Sequence, residues 1–453
     1  MSSLQDYLLN DAQMRAFVGQ GYLKLHLPLG ADFHARVFAD TEKVFAEGSN
    51  PGDDIYDKVP LLHEVFAHPL VRGALTSILG ADYFMYPHRH CHLTPPQRQA
   101  QHDHKDSIPA DHFVRQHRCR WAMVFYYPQN TTLAYGPTGV RPGTQYYVSR
   151  EAAMQHDEIP MVGTAGDVVI VHYDVWHRGL TNSLDQNRYM NKFLFCRASE
   201  PTAPSWHNES ARLWPPMSWA FNHNAAPIWH SIWDWHRGVT GSREPQAASV
   251  TDLGATLVDE DERRALNAAY DLAASGEEGC EVLFQYWPEE AVDKLEGNLS
   301  GRYRNPCEML STHGITAAGA ISVPRLEQAL DDENWWIRAS AADRLGDVGV
   351  PAQRSIPALV RALQDDSEWV RRNAAFSLGI LDDDGASAAA LGQHLSDQAP
   401  RVAQNAALAL CKMARHAQAA REDLVAALES GVKYVRANSR LALEIMESGA
   451  KHA

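Results

Sequence analysis

Gln101-His102-Asp103-His104-Lys105-Asp106-Ser107 holds the first part of a candidate metal site, and His177, far downstream, completes it. Two imidazoles and one carboxylate fill one face of an octahedral Fe(II), leaving three positions for water, oxygen or a chelating cosubstrate. On an extended strand, residues two apart point the same way, so His104 and Asp106 reach one ion while Lys105 faces away. His177 then closes the triangle from a distant segment. Two histidines compete for these places. His102 stands two before His104, and His172 lies an odd number of residues from His177, so those two share a face only if the strand breaks between them. Either rival also reads as a hydrogen-bonding neighbour of the site or a polar residue at a strand end. An H-x-D triplet alone is a weak signal, so its surroundings decide.

Those surroundings are β-rich. Trp121-Ala122-Met123-Val124-Phe125-Tyr126-Tyr127 reads as a strand stopped by Pro128, Val168 to Val171 as a second and Asn191 to Cys196 as a third. Upstream, Asp11 to Phe17 suggests a short helix with Asp11 as its cap, ended near Gly19 and Gly21. Tyr22 to Leu25 alternates like a strand, and a second helix is expected from Phe33 to about Phe45. Short strands with polar turns, preceded by helices, fit a β-sandwich or barrel with helical decoration.

The chain has 453 residues, 45% of them hydrophobic, enough for about three domains with substantial cores. A formal charge of -15 argues against a nucleic-acid groove, although Arg115, Arg118 and Arg120 form a local basic cluster. Cys91, Cys119, Cys196, Cys280, Cys307 and Cys411 are dispersed without a C-x-x-C pair. They read as free thiols of a reducing compartment, with no disulfides required and no thiolate zinc site. Met1 to Asn10 lacks the pattern of a targeting signal, and no run of about 18 apolar residues appears. The expectation is a soluble, cytoplasmic protein that does not engage membranes.

The last third repeats. Leu330, Leu363, Leu395 and Leu428 recur at intervals of 33, 32 and 33 residues. Ile337, Val370, Val402 and Val435 keep the same phase, as do Leu345, Leu378, Leu410 and Leu443, with Ser340, Asn373, Asn405 and Asn438 between them. Each unit reads as two helices, Ile356 to Leu363 and Trp369 to Leu378 in the second, joined by an acidic turn at Asp365-Asp366. Such a pair cannot bury its apolar face alone, so neighbours stack into a solenoid. The units resemble HEAT repeats in the prolines of the first helix (Pro324, Pro357) and the Val370-Arg371 and Val435-Arg436 pairs of the second, over roughly Ser322 to Gly449. The third unit departs with Val402-Ala403. The expected division is residues 1–240 for the domain that holds the candidate metal site, 241–320 for a helical linker or degenerate capping repeat, and 321–453 for the repeat domain. The repeats read as a stabilising appendage, a self-association surface or a docking site for a protein partner.

Around the metal triplet the order of motifs becomes specific. The triplet is followed by Gly136-Pro137-Thr138 leading to Arg141-Pro142-Gly143-Thr144-Gln145, then Gly166-Asp167-Val168-Val169-Ile170-Val171-His172, then His177, Asn182 and Arg188. This succession resembles the phytanoyl-CoA dioxygenase family of Fe(II)/2-oxoglutarate oxygenases over about residues 8–200, including Gly21-Tyr22-Leu23 as the opening strand. The resemblance implies a double-stranded β-helix, the cupin-like jelly roll, so that the whole chain is multidomain: a jelly roll with helical decoration followed by an all-α HEAT-like solenoid. It implies His104, Asp106 and His177 as iron ligands, favouring His104 over His102 because Ser107 follows the carboxylate. It implies Arg188 as the clamp for the distal carboxylate of 2-oxoglutarate, a role suited to a bidentate guanidinium fork. A hydroxyl from Tyr126 or Tyr127 is expected to share that carboxylate. Where the family commonly ends the glycine-proline loop in serine-histidine, this chain has Thr144-Gln145, which bears on the pocket wall and not on iron binding.

The reaction so implied is oxidative decarboxylation of 2-oxoglutarate to succinate and CO2, coupled to oxidation of a small organic substrate by O2. Hydroxylation is the default outcome, and the carboxylate of Asp106 argues against halogenation. Desaturation, cyclisation and epoxidation stay open, as do an interaction protein built on the repeats and an oxygenase acting on a protein- or carrier-bound substrate. Residues of His88-Arg89-His90-Cys91-His92 and Arg115, Arg118 and Arg120 are candidates to face the pocket and receive a polar or anionic group. The tryptophan-rich segment from Trp206 to Trp235 reads as a lid or as the packed joint between domains. The lid is favoured slightly because a reactive oxidant must be kept from bulk water.

Overall fold

The computed structural model describes residues 3–48, 50–106, 116–210, 224–239, 248–298 and 309–448. Its described strands are β1 (Tyr22–His26), β2 (Phe84–Thr94), β3 (Trp121–Tyr126), β4 (Thr138–Val140), β5 (Ile159–Pro160), β6 (Asp167–His172), β7 (His177–Gly179) and β8 (Arg188–Cys196). They form a five-stranded sheet in the order β1-β6-β3-β8-β2 and a three-stranded sheet in the order β5-β4-β7, antiparallel throughout.

Alternation sorts the larger sheet into two buried faces. Ala122, Val124 and Tyr126 join Ile170, Phe193 and Phe195 in a core beneath the N-terminal helices. Met123, Phe125 and Tyr127 point the other way, into a core continuous with the C-terminal helices. With both faces covered, every residue of β3, β6 and β8 is buried. The expected helices are present as Asp11–Gln20 and Ala31–Ala46. The cap of the first is Asn10, whose side chain accepts from Gln13 N–H, and not Asp11 as expected. Asp11 instead accepts the indole N–H of Trp206 at 2.7 Å. An acidic residue already inside the first turn is better used by an outside donor than as its own cap.

The C-terminal region is a series of helix pairs: Val323–Ala329 with Trp335–Val348, Ile356–Ala362 with Glu368–Leu381, Ala388–Gln393 with Pro400–Lys412, and Arg421–Ala427 with Lys433–Ser448. The in-register polar residues have distinct tasks. Asn373 donates to the Ala339 carbonyl of the preceding unit at 2.7 Å. Arg338 and Arg371 each fork onto the aspartate of the next turn, Asp365 and Asp397. Ala403 cannot make that bond, which accounts locally for the irregular third unit.

A buried polar network joins the halves. Arg120 bridges Glu200 at 2.8 Å and Asp347 of the first repeat, and Arg118 donates to the Asp347 carbonyl. Arg118 and Arg120 therefore face the joint and not the pocket, contrary to expectation, while Arg115 lies outside the described residues. Removing one partner from such a network strands the others without solvent. Arg120→Met should destabilise the protein by about 3–5 kcal/mol, read as a lowered denaturant midpoint. A midpoint shift equivalent to under about 1 kcal/mol would mean that the network carries little of the joint.

Beside it, His117 stacks on His313 with ring centroids 3.7 Å apart and pairs with Tyr270. Burial pushes His117 down to about 3 and His313 well below its ordinary value. Both are neutral when folded, so below the unfolded pKa of about 6.5 the unfolded chain binds protons that the folded chain refuses. Stability is therefore full above that pH and declines as pH falls from about 6.5 towards 3. Urea midpoints at pH 8, 6.5 and 5 should be flat across the first interval and drop across the second. His117→Asn should make the drop smaller by one histidine's share, since His172 and His177 are also held down to about 4 by burial.

Candidate metal centre

His104 lies outside any long strand, yet it forms an isolated antiparallel bridge with His177, each donating its N–H to the other's carbonyl at 3.0 Å. That bridge extends the three-stranded sheet and sets the two imidazoles side by side, with ring centroids 4.6 Å apart. Asp106, two residues on, returns to the same side as His104. The structure brings His104, Asp106 and His177 together so that their ligand atoms all lie within 4.8 Å of one another. His104 Nε2 is 3.9 Å from one oxygen of Asp106, and His177 Nε2 is 3.6 Å from the other.

The tautomers follow from the partners. His104 Nδ1 lies 2.9 Å from the His102 carbonyl and His177 Nδ1 3.0 Å from that of Val175. A carbonyl only accepts, so both Nδ1 atoms donate, and each neutral ring turns the lone pair of Nε2 towards Asp106. This is the outer hydrogen bonding that orients metal-binding histidines. Burial pushes His177 down to about 4, against the attraction of Asp106, which favours a neutral imidazole at physiological pH. For Asp106 burial acts upwards, but the Lys192 ammonium and His177 outweigh it and hold the carboxyl well below the usual carboxylate range. The donor set thus fits a divalent transition metal: two lone pairs and one anion, already aimed at one point.

The rivals are placed elsewhere. His102 is exposed and contributes its carbonyl to His104. His172 ends β6, where its Nδ1 accepts from Asp174 N–H and its ring lies 6.4 Å from Phe17. Ser107 lies outside the described residues.

A cavity opens over the triad between the two sheets. Thr138 and His177 line it from the smaller sheet, and His92, Phe125 and Arg188 from the larger. Arg188, Met190 and Lys192 alternate along β8 and so share the inward face. Arg188 is buried and donates to the Gly136 carbonyl at 2.8 Å, while its Nε and Nη1 have no partner among the described residues. Burial lowers its pKa, but a guanidinium stays charged at any physiological pH. A buried cation with two unanswered donors fits an anion entering from the cavity. Gly136 holds φ at +67°, and a Cβ there would stand 2.4 Å from the Leu180 carbonyl oxygen, so the close turn that presents its carbonyl requires glycine.

The two tyrosines part company. Tyr126 points to the opposite face, where its hydroxyl meets His34 Nδ1 at 2.8 Å, so the expectation for it is not met. Tyr127 bonds Thr138, a cavity residue, at 3.2 Å and lies on the Arg188 side. Gln145 also turns away, donating to the Val18 carbonyl, while Thr144 braces Trp176 N–H beside His177. Among the described tryptophans of the 206–235 segment, Trp206 packs on Trp233 and Trp235 donates to Glu200 in the joint network. Trp206 and Trp233 belong to the core beneath the N-terminal helices and Trp235 to the joint, and none of the three lines the cavity; Trp214 and Trp219 lie outside the described residues.

Sequence reading missed Lys192, whose ammonium sits 2.6 Å from Asp106. Its even spacing from Arg188 was the available signal. Lys192→Met should leave Asp106 without its brace, and a brace of this kind is worth about 10–100-fold in metal affinity. Iron affinity by competition with a chelator checks this, and an unchanged value would reduce Lys192 to a packing role.

A family model described as phytanoyl-CoA dioxygenase (PhyH) matches residues 30–190, and one described as HEAT repeats matches residues 322–393. Similar solved structures include the non-heme alpha ketoglutarate dependent carbocyclase SnoK from nogalamycin biosynthesis, at 18% identity and a TM-score of 0.37, covering 44% of this chain and 87% of that one. EctD from S. alaskensis with 2-oxoglutarate and 5-hydroxyectoine is 16% identical with a TM-score of 0.38, covering 42% and 77%. The epimerase SnoN from the nogalamycin pathway is 14% identical with a TM-score of 0.36, covering 42% and 82%. No curated protein matches the chain. The chain carries a phytanoyl-CoA dioxygenase domain over residues 30–190 and HEAT repeats over residues 322–393.

Proposed function

We propose that the protein is an Fe(II)- and 2-oxoglutarate-dependent oxygenase that hydroxylates a small organic molecule, with succinate and CO2 as coproducts. One observation carries this reading: two imidazoles fixed as Nε2 donors and a carboxylate converge in a cavity that also holds a buried arginine with unanswered N–H groups. The fold proposed is a double-stranded β-helix within residues 1–240, a helical linker over 241–320 and a HEAT-like solenoid over 321–453.

In this reading His104, Asp106 and His177 hold the metal, and Arg188 holds the distal carboxylate of 2-oxoglutarate, with Tyr127 nearby. Iron with bound 2-oxoglutarate supplies O2 activation and the oxidant that removes a substrate hydrogen. The protein's contribution is placement. The carbonyls of His102 and Val175 fix the ring orientations, and Lys192 keeps Asp106 ionised and in position. Phe125 and Met190 give the cavity an apolar wall that keeps water from the reacting centre. Anaerobic titration with Fe(II) and 2-oxoglutarate should give the weak visible charge-transfer band of a chelated 2-oxo acid. No band, together with no succinate from any candidate substrate, would overturn the proposal.

A further inference from the structure

We infer that Asp53, His88 and His90 form a second divalent transition-metal site, set between β2 and the helix Lys433–Ser448. The inference is independent of the functional reading above. His88 and His90 are two apart on β2, share its face and have ring centroids 4.4 Å apart. Asp53 comes from the short turn Gly52–Asp54, drawn to the strand by Arg89 N–H, which donates to its Oδ1 at 3.2 Å. The ligand atoms of the three side chains lie within 4.8 Å of one another.

The spacing suits an ion. Asp53 Oδ1 and His90 Nε2 are 3.3 Å apart. In a tetrahedral site with bonds of about 2.0–2.1 Å, two ligand atoms are separated by roughly 3.3 Å. Two nitrogens and one oxygen exclude Mg2+ and Ca2+, which take oxygen ligands, and select Zn2+, Co2+ or Ni2+. Asp53 is buried while both imidazoles are half-buried, so an ion has an anion to reach and a way in.

Lys433 Nζ lies 2.6 Å from Asp53 Oδ2, which at first sight fills the place of a cation. The candidate iron centre has the same arrangement: Lys192 stands 2.6 Å from one oxygen of Asp106. In both clusters a lysine braces one carboxylate oxygen; the other oxygen of Asp53 faces His90, while at Asp106 the lysine shares its oxygen with His177 and the other faces His104. Tyr434, from the same helix as Lys433, places its hydroxyl 2.6 Å from His88 Nδ1. An ion here would therefore tie the strand that lines the cavity to the last repeat. The competing account is a bare hydrogen-bonded clasp between the two, with no ion.

The test uses the full-length chain, stripped by chelator and dialysed against buffered Zn2+, with metal and protein counted by elemental and amino-acid analysis. Two equivalents are expected for the wild type. His90→Ala and Asp53→Asn should each bind one, with circular dichroism and melting temperature showing that the fold is kept. His177→Ala should also bind one, at the Asp53 cluster. Co2+ in His177→Ala should show the visible bands of a tetrahedral site, and in His90→Ala it should lose them. One equivalent in the wild type that His90→Ala keeps, or two persisting in both His90→Ala and Asp53→Asn, overturns the inference. Two equivalents in His177→Ala with one in His90→Ala would uphold it and defeat the iron-triad reading instead.

Discussion

His177→Ala is expected to abolish succinate formation while leaving the protein folded. Among the described residues the side chain's one hydrogen bond is from Nδ1 to the Val175 carbonyl, and the backbone bridge to His104 survives the substitution. What is lost is one of the three proposed ligands, with the several kcal/mol that a fixed metal supplies to the transition state. At 1.36 kcal/mol per decade, that corresponds to a fall of at least ~10³ in turnover. Anaerobic titration should show the charge-transfer band lost, with near-native circular dichroism. His102→Ala and His172→Ala serve as matched controls, since neither ring lies in the cavity. Should His172→Ala silence the enzyme and His177→Ala spare it, the ligand assignment is wrong.

Arg188→Met is expected to remove the response to 2-oxoglutarate without weakening the unliganded protein. In the wild type a buried guanidinium keeps Nε and Nη1 unanswered, which is costly before any ligand arrives. Methionine fills similar space without the charge, so the melting temperature alone should hold or rise. With metal and saturating 2-oxoglutarate, the wild type should gain about 2.7 kcal/mol at a hundredfold excess over Kd, and the variant close to nothing. Arg188→Lys should fall between them, with affinity reduced on the order of 10²-fold, because an ammonium restores the charge but not the two-pronged geometry. Equal stabilisation of wild type and Arg188→Met by 2-oxoglutarate would place the carboxylate elsewhere.

Much of this was legible because it was local. The parity of His104 and Asp106 needs only an extended backbone, and the repeats keep phase over four units. Parity failed where both faces of a strand are covered. Trp121 to Tyr127 is apolar or aromatic at every position, so nothing in the sequence separates Tyr126 from Tyr127; sheet register decides. Partners distant in sequence were equally hidden. Arg118 and Arg120 read as a pocket's basic wall until Asp347, 227 residues beyond Arg120, answers them. Lys192 escaped notice because its reason for being basic, Asp106, lies 86 residues away. The cap misassigned to Asp11 belongs to the residue before it, a one-position error typical of helix ends.

β2 is the outermost strand of its sheet, and the tyrosine that meets His88 lies 346 residues further along the chain. That edge exists once β8 is complete at Cys196, and at about 5–20 residues per second a ribosome needs roughly 12–48 s to go from there to Tyr434. Throughout that interval the nascent N-terminal half offers an open β-edge to its neighbours on the same messenger, the setting in which strands pair wrongly between copies. Its composition meets the hazard: His88, Arg89, His90 and His92 occupy the middle of the strand where an apolar run would be adhesive. The imidazole row is thus also a safeguard of biosynthesis, keeping the edge soluble until its own helix emerges.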